Sequence, residues 1–118
     1  MKYIAIVQAR TNSTRLHNKI MKKISNKTVI EILLRRLSKS KLIDKIIVAT
    51  TKNKSDDKLV NLLKKLNYDF YRGSEKNVLK RYFDASKKYN AKYIVRITAD
   101  NPVIEPKIVD NVIKLFEK

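Results

Sequence analysis

Between Arg10 and Lys19 the sequence reads RTNSTRLHNK. It sets two guanidiniums, Arg10 and Arg15, and the ammonium of Lys19 among the hydroxyls of Thr11, Ser13 and Thr14. Phosphate oxygens are bound by that set: guanidinium forks bind them bidentately, an ammonium acts as a point charge, and hydroxyls add donors. A solvated basic turn has the same composition, so two readings stand. A second stretch, RITADNPVIEP, places Asp100 two residues past a run of apolar residues and just before Asn101 and Pro102. A lone carboxylate there either caps a turn or helps hold a hard cation such as Mg²⁺, which takes one or two carboxylates together with substrate phosphates. Taken together, a cationic loop and an acidic tip at the ends of two strands suggest a nucleoside triphosphate with Mg²⁺.

Both loops follow strands. The apolar runs at 3–7, 45–50 and 93–98 are rich in Ile and Val and mostly unalternated, as in strands covered on both faces, and a weaker run lies at 69–71. Helical spacing separates them. Ile30, Leu33, Leu34 and Leu37 form a stripe over 28–38, opened by a capping box of Thr28 and Glu31. Leu59, Leu62, Leu63 and Leu66 repeat the pattern over 56–66. A helix over 75–89 is expected after Ser74 as N-cap, with Val78, Leu79, Tyr82, Phe83 and Ser86 inward. The last helix, 106–117, starts at Pro106 and turns Ile108, Val109, Val112, Ile113 and Phe116 inward. Strands alternating with helices predict an α/β fold with a parallel sheet, whose ligands sit beyond the carboxyl ends of the strands.

The totals narrow the function classes. A chain of 118 residues is read as a single domain, 1–118, with 43% hydrophobic and 33% charged residues, a globular balance. No cysteine is present, which removes disulfides and thiolate metal sites. The single glycine, Gly73, excludes a glycine-rich phosphate loop of the P-loop or dinucleotide type. The first apolar run is too short for a signal peptide or a membrane span, so a soluble cytoplasmic protein with no membrane partner is expected. The net charge of +17 invites a polyanion reading. Lysine supplies 21 of the 28 cations, and Tyr68, Phe70, Tyr82, Tyr89 and Tyr93 fall on core-like positions rather than on a stacking surface, so nucleic acid is not the favoured partner.

Four motifs carry a resemblance. Ala9-Arg10 with Ser13-Thr14-Arg15-Leu16 and Lys19, Ala49-Thr50 followed by Asp56-Asp57, Arg72-Gly73-Ser74 followed by Val78-Leu79 and Arg81-Tyr82, and Val95-Arg96-Ile97-Thr98 with Asp100 and Pro102 occur in order. The chain resembles the acylneuraminate cytidylyltransferase family, in particular its spore coat polysaccharide biosynthesis protein F-like branch, from residue 3 to the C-terminus. That resemblance implies a Rossmann-like three-layer α/β/α nucleotidyltransferase fold of the glycosyltransferase A type. It implies transfer of CMP from CTP to an acidic or modified sugar, with release of pyrophosphate, in surface polysaccharide biosynthesis. By matching position, Ala9, Arg10, Ser13, Arg15 and Lys19 would bind the triphosphate. Arg72, Gly73 and Ser74 would lie near the base and ribose, and Arg96 and Asp100 beside the α-phosphate, with Asp100 the Mg²⁺ ligand. Arg10, Lys19 and Asp100 would be the catalytic set. For Arg81, a substrate role and an ion pair with Asp84 both stand.

The chain departs from the family loop in having Asn12, His17 and Asn18 where glycine, proline and glycine are common. His17, the sole histidine, therefore reads as an exposed turn residue. Family members are much longer, so the sheet is expected to be cut short. A fragment, a homodimer, or a second chain supplying the missing half would each account for the length. A catalytically incomplete assembly partner is the alternative function, and a polyanion-binding module a weaker one.

Overall fold

The computed structural model describes residues 3–11, 19–99 and 106–117, with the backbone alone described at Lys19. Among the described residues, six strands and four α-helices follow in the order β1 (Tyr3–Gln8), β2 (Lys23–Ile24), β3 (Lys27–Thr28), α1 (Val29–Leu37), β4 (Lys45–Thr51), α2 (Asp57–Lys65), β5 (Asp69–Gly73), α3 (Val78–Lys88), β6 (Tyr93–Thr98) and α4 (Pro106–Glu117). The main sheet has the order β5-β4-β1-β6 and every pairing in it is parallel. The expected parallel α/β sheet is thus present.

Two cores cover its faces. On one, Tyr3, Ala5 and Val7 of β1 and Val48 of β4 meet Ile30, Leu33, Leu34 and Leu37 of α1, Leu59 and Leu63 of α2, and Val109 and Ile113 of α4. On the other, Ile4, Ile6, Ile47 and Ala49 meet Tyr82 and Ala85 of α3. Alternate residues of one strand serve opposite cores, which is why β1 and β4 read as unbroken apolar runs. Truncating a fully buried leucine such as Leu33 removes its transfer energy and leaves a cavity, a loss of about 2–5 kcal/mol.

Local chemistry explains the ends of the helices. Thr28 Oγ1 accepts from Glu31 N at 3.2 Å, the forward half of the expected capping box. Glu31 pairs with Arg35 at 2.7 Å, an i,i+4 ion pair on the helix surface. With one glycine in the chain, asparagine takes the left-handed positions. Asn67 and Asn90 follow α2 and α3 with φ of 63° and 52°. Around them Tyr68 N donates to Leu63 O and Ala91 N to Ser86 O, the six-to-one bond that closes each helix. Ser25 and Asn26, both at positive φ, make the two-residue turn of a β2–β3 hairpin. That hairpin carries no Asn-Gly signal and was not expected from the sequence.

Helix α3 corrects the sequence reading. It starts at Val78, with Asn77 as N-cap accepting from Lys80 N at 3.0 Å. Ser74 instead accepts from Asn77 N one turn earlier. Arg81, Tyr82 and Ala85 are its buried residues, whereas Val78, Leu79 and Phe83 are exposed. On α4, Val109 and Ile113 are buried as expected, but Ile108, Val112 and Phe116 are exposed. In both helices the apolar stripe is wider than the sheet surface available to cover it.

Asp110 of α4 ties the loop after α1. Its carboxylate accepts from Ser40 Oγ at 2.5 Å, Lys41 N at 3.0 Å and Leu42 N at 3.1 Å. Burial alone would raise its pKa. The hydrogen bonds from Ser40, Lys41 and Leu42, with Lys114 nearby, prevail and hold it below the ordinary aspartate value. A depressed carboxyl pKa adds stability above the unfolded-state value and loses it as pH falls through the folded one. Thermal unfolding from pH 6 down to pH 2 is therefore expected to show an acid-side loss of stability that is smaller in Asp110→Asn. Identical pH profiles for the two proteins would remove this role.

Candidate functional site

The carboxyl ends of β1, β4 and β5 meet around one buried carboxylate. Beyond β1, Ala9 N donates to Ala49 O at 3.0 Å, and Ala99 N donates to Gln8 O at 3.2 Å, so the exit of β1 is held between its two neighbours. Thr11, fully buried, follows. Its N–H donates to Asp56 Oδ1 at 2.7 Å, and its hydroxyl lies 2.7 Å from Ser55 O and 2.9 Å from the same Asp56 oxygen. Thr51, at the end of β4, donates its hydroxyl to Asp56 Oδ2. Asp56 therefore pins the start of the basic loop to the β4–α2 turn. Its cost of burial is offset by the Thr11 N–H and the Thr51 hydroxyl, with the Thr11 hydroxyl proton shared between it and Ser55 O.

Arg72 braces the same turn from β5. Its Nε donates to Thr51 O at 2.7 Å, one terminal nitrogen donates to Asn53 O at 2.9 Å, and the other pairs with Asp57 at 2.8 Å. Asn53 also donates to Glu75 at 3.1 Å. These bonds make the ends of β4 and β5 and the loop after β1 one connected unit.

Arg81 occupies the opposite face of the sheet. It is 1% exposed, the largest fully buried side chain among the described residues. Its Nη1 donates to Ser74 O at 2.7 Å and to Glu75 O at 3.2 Å. The Gln8 side-chain amide lies against Nε and Nη2, and its oxygen is assigned to that side because two guanidinium donors face it. Asp84, the ion-pair partner considered from the sequence, pairs with Lys80 at 3.0 Å instead. Arg81, although one turn from Asp84, directs its guanidinium inward to the Ser74 and Glu75 carbonyls. Burial first, and then the neighbouring Arg10 guanidinium, lower its pKa, with Asp56 opposing. A guanidinium stays charged in proteins, so a buried cation with neutral hydrogen-bond partners lies within the field of a second cation at the exit of β1. The field there favours an anion.

Gly73 makes this packing possible. A Cβ at Gly73 would stand 2.8 Å from Arg81 Cγ and 3.0 Å from Tyr71 Cε2. Gly73→Ala must displace the stem of a buried arginine, and we expect it to cost about 1–3 kcal/mol in urea unfolding. Unchanged stability would show that α3 shifts freely against β5.

Of the residues singled out from the sequence, Gly73 and Ser74 pack against Arg81 at the strand ends, Arg10 follows β1 within reach of its charge, and Ala9 is buried at the loop's start. Arg72 stands at the same end but on the α2 side, its donors spent on the turn. Arg96 projects from β6 over the Tyr82 ring, 4.4 Å from its centroid. Asn12, Ser13, Arg15, His17, Asn18 and Asp100 lie outside the described residues, as does the Lys19 side chain. The roles of Asp56, Thr11 and Gln8 escaped the sequence reading. Asp56 stands just before a helix, where a carboxylate reads as a cap.

No group of three or more His, Cys, Asp or Glu side chains suited to a metal ion occurs among the described residues. The Asp56 oxygens are committed to Thr11 and Thr51. No helix among the described residues is long and apolar enough to cross a membrane.

A parallel sheet sandwiched by helices, with cations at its carboxyl end, is shared with nucleotidyltransferases of known structure. A cytidylyltransferase from Leptospira borgpetersenii serovar Hardjo-bovis superposes with a TM-score of 0.94 at 40% identity, over 99% of this chain and 49% of that one. CMP:2-keto-3-deoxy-manno-octonic acid synthetase, solved with CTP, shares the fold with a TM-score of 0.83 at 19% identity, over 99% of this chain and 48% of that one. The cytidylyltransferase family model matches residues 4–118, and the chain belongs to that family. An uncharacterised protein of Methanocaldococcus jannaschii is 48% identical over the whole chain and 49% of its own length. Spore coat polysaccharide biosynthesis protein SpsF of Bacillus subtilis is 32% identical over 92% of this chain and 47% of its own. The chain spans about half the length of the curated relatives it matches.

Proposed function

We propose that the chain forms the CTP-binding part of a cytidylyltransferase that moves CMP from CTP to an acidic or modified sugar, in the cytoplasmic supply of surface polysaccharide. The observation that carries this reading is the concentration of positive charge where β1 ends. There the buried Arg81 holds the carbonyls of Ser74 and Glu75, Arg10 follows β1 directly, and the basic loop is anchored through Thr11 to Asp56. A sugar hydroxyl oxygen forms a bond to the α-phosphorus, the bond to the bridging oxygen of the pyrophosphate breaks, and the hydroxyl proton is lost to solvent or a base. Arg10, Ser13, Arg15 and Lys19 hold the triphosphate, with the Ala9 backbone close by. The Arg72-Gly73-Ser74 segment flanks the base and ribose, and Arg96 stands toward the α-phosphate. Charge on the departing pyrophosphate is neutralised mainly by these cations, so positioning and electrostatics do most of the work. Mg²⁺, held by Asp100 and the phosphates, would supply further neutralisation when bound.

Isothermal titration with CTP, ATP and GTP, each with Mg²⁺, tests the proposal. Selective binding of CTP is expected. Equal binding of all three, or none, would overturn it.

A further inference from the structure

Arg81 is a buried cation to which the CMP transfer assigns no substrate contact. Its hydrogen-bond partners among the described residues are two backbone carbonyls and a side-chain amide rather than a carboxylate. Taking a charge out of water without a counter-charge is costly, and an apolar side chain would fill the space between α3 and the sheet without that cost. A guanidinium supplies what an apolar side chain lacks: five N–H donors in a rigid planar fork, able to hold two separate elements at once.

The two elements are the opposite ends of the candidate nucleotide site. On one side, Nη1 bonds the carbonyls of Ser74 and Glu75, in the segment that joins β5 to α3. On the other, Nε and Nη2 face the side-chain amide of Gln8, the last residue of β1, two positions before Arg10. β4 lies between β1 and β5 in the sheet, so no backbone ladder joins them directly and they run about 10 Å apart. Arg81 spans that gap. Each end is braced by its own bonds. Glu75 accepts from Asn53 Nδ2 at 3.1 Å, and Ser74 Oγ accepts from Asn77 N at 3.2 Å. The Gln8 carbonyl accepts from Ala99 N at 3.2 Å. The stem of Arg81 rests on Gly73, which has no Cβ to push it away.

We propose that Arg81 is a positioning residue that sets the spacing between the β5–α3 segment and the exit of β1. It touches no substrate. What the two ends hold rests on the CTP reading above: base and ribose at one, the triphosphate at the other. A ligand that reaches both subsites gains affinity only while their separation matches its own length.

Titration of the 118-residue chain with CTP, CMP and pyrophosphate, each with Mg²⁺, tests the spacing. CMP reports on the base-and-ribose end, pyrophosphate on the basic loop, and CTP on both at once. Arg81→Lys keeps the charge but offers one nitrogen in place of the fork. Gln8→Ala removes the far end of the bridge, and Gln8 is half-buried, so this variant serves even where Arg81→Lys folds poorly. Each variant is expected to bind CTP about tenfold more weakly, with CMP and pyrophosphate within about twofold of the parent. A purely structural role would weaken all three ligands together. Equal weakening of the three, or parental CTP affinity in both variants, would overturn the proposal. Hydrogen exchange of the free chain reads the bridge without a nucleotide. Gln8→Ala should speed exchange at the Asn77 amide, across the bridge, and leave the α1 amides as in the parent. Parental exchange at Asn77 would also overturn the proposal. A parent that binds no CTP would instead overturn the CTP reading, and the exchange result would still decide the bridge.

Discussion

Asp56→Ala is expected to lower folding stability by about 3 kcal/mol, since a buried donor left unsatisfied costs about 1–3 kcal/mol. Two donors lose their acceptor at once: the Thr11 N–H, and the Thr51 hydroxyl inside the β4–α2 turn. Equilibrium urea unfolding measures this directly. The same variant is expected to bind CTP more weakly than the stability loss requires, because the basic loop leaves β1 through Thr11. Titration well below the unfolding transition separates the two effects. Asp56→Asn retains the shape and one carbonyl acceptor, so it should fall between alanine and the parent in both measurements. Weakened folding with unchanged CTP affinity in the folded protein would mean that Asp56 supports the fold without positioning the loop.

Arg10→Ala is expected to weaken CTP binding by about 2–3 kcal/mol, the range for removing one member of a close charge pair, or roughly 30- to 150-fold at 1.4 kcal/mol per tenfold. Folding should be little affected. Arg10 is half-buried, and its guanidinium opposes that of Arg81, so its removal relieves a repulsion within the free protein. Arg10→Lys tests the geometry. An ammonium restores the charge without the bidentate fork, and an intermediate affinity is expected. Raising the salt concentration should weaken the parent more than Arg10→Ala. An Arg10→Ala protein with the parent's dissociation constant would show that Arg10 is part of a solvated turn.

These expectations draw on different levels of the molecule. The order of strands and helices was legible because each element declares itself locally. An apolar run such as residues 3–7 needs cover on both faces, and Thr28 with Glu31 marks a helix start within four residues. The parallel sheet followed from alternation. The position of the cationic loop at the carboxyl end of β1 followed from chain order alone, and the family motifs named its residues. The β2–β3 hairpin was missed because its turn uses Ser25 and Asn26 rather than glycine.

What the sequence by itself determined is therefore the order of the main-sheet strands and the four helices, and the family to which the chain belongs. Partnerships across long stretches of chain were settled only by the tertiary structure. Thr11 and Asp56 are 45 residues apart, and nothing local to either predicts their bond. Arg72 and Arg81 belong to one motif yet serve opposite faces of the sheet, because one extends from a strand toward α2 and the other is turned inward by the first turns of α3. The helical stripes of α3 and α4 were read correctly as apolar, but their period cannot say how much of a stripe finds cover. That depends on how many strands lie beneath it, and β6 is the last of the described sheet.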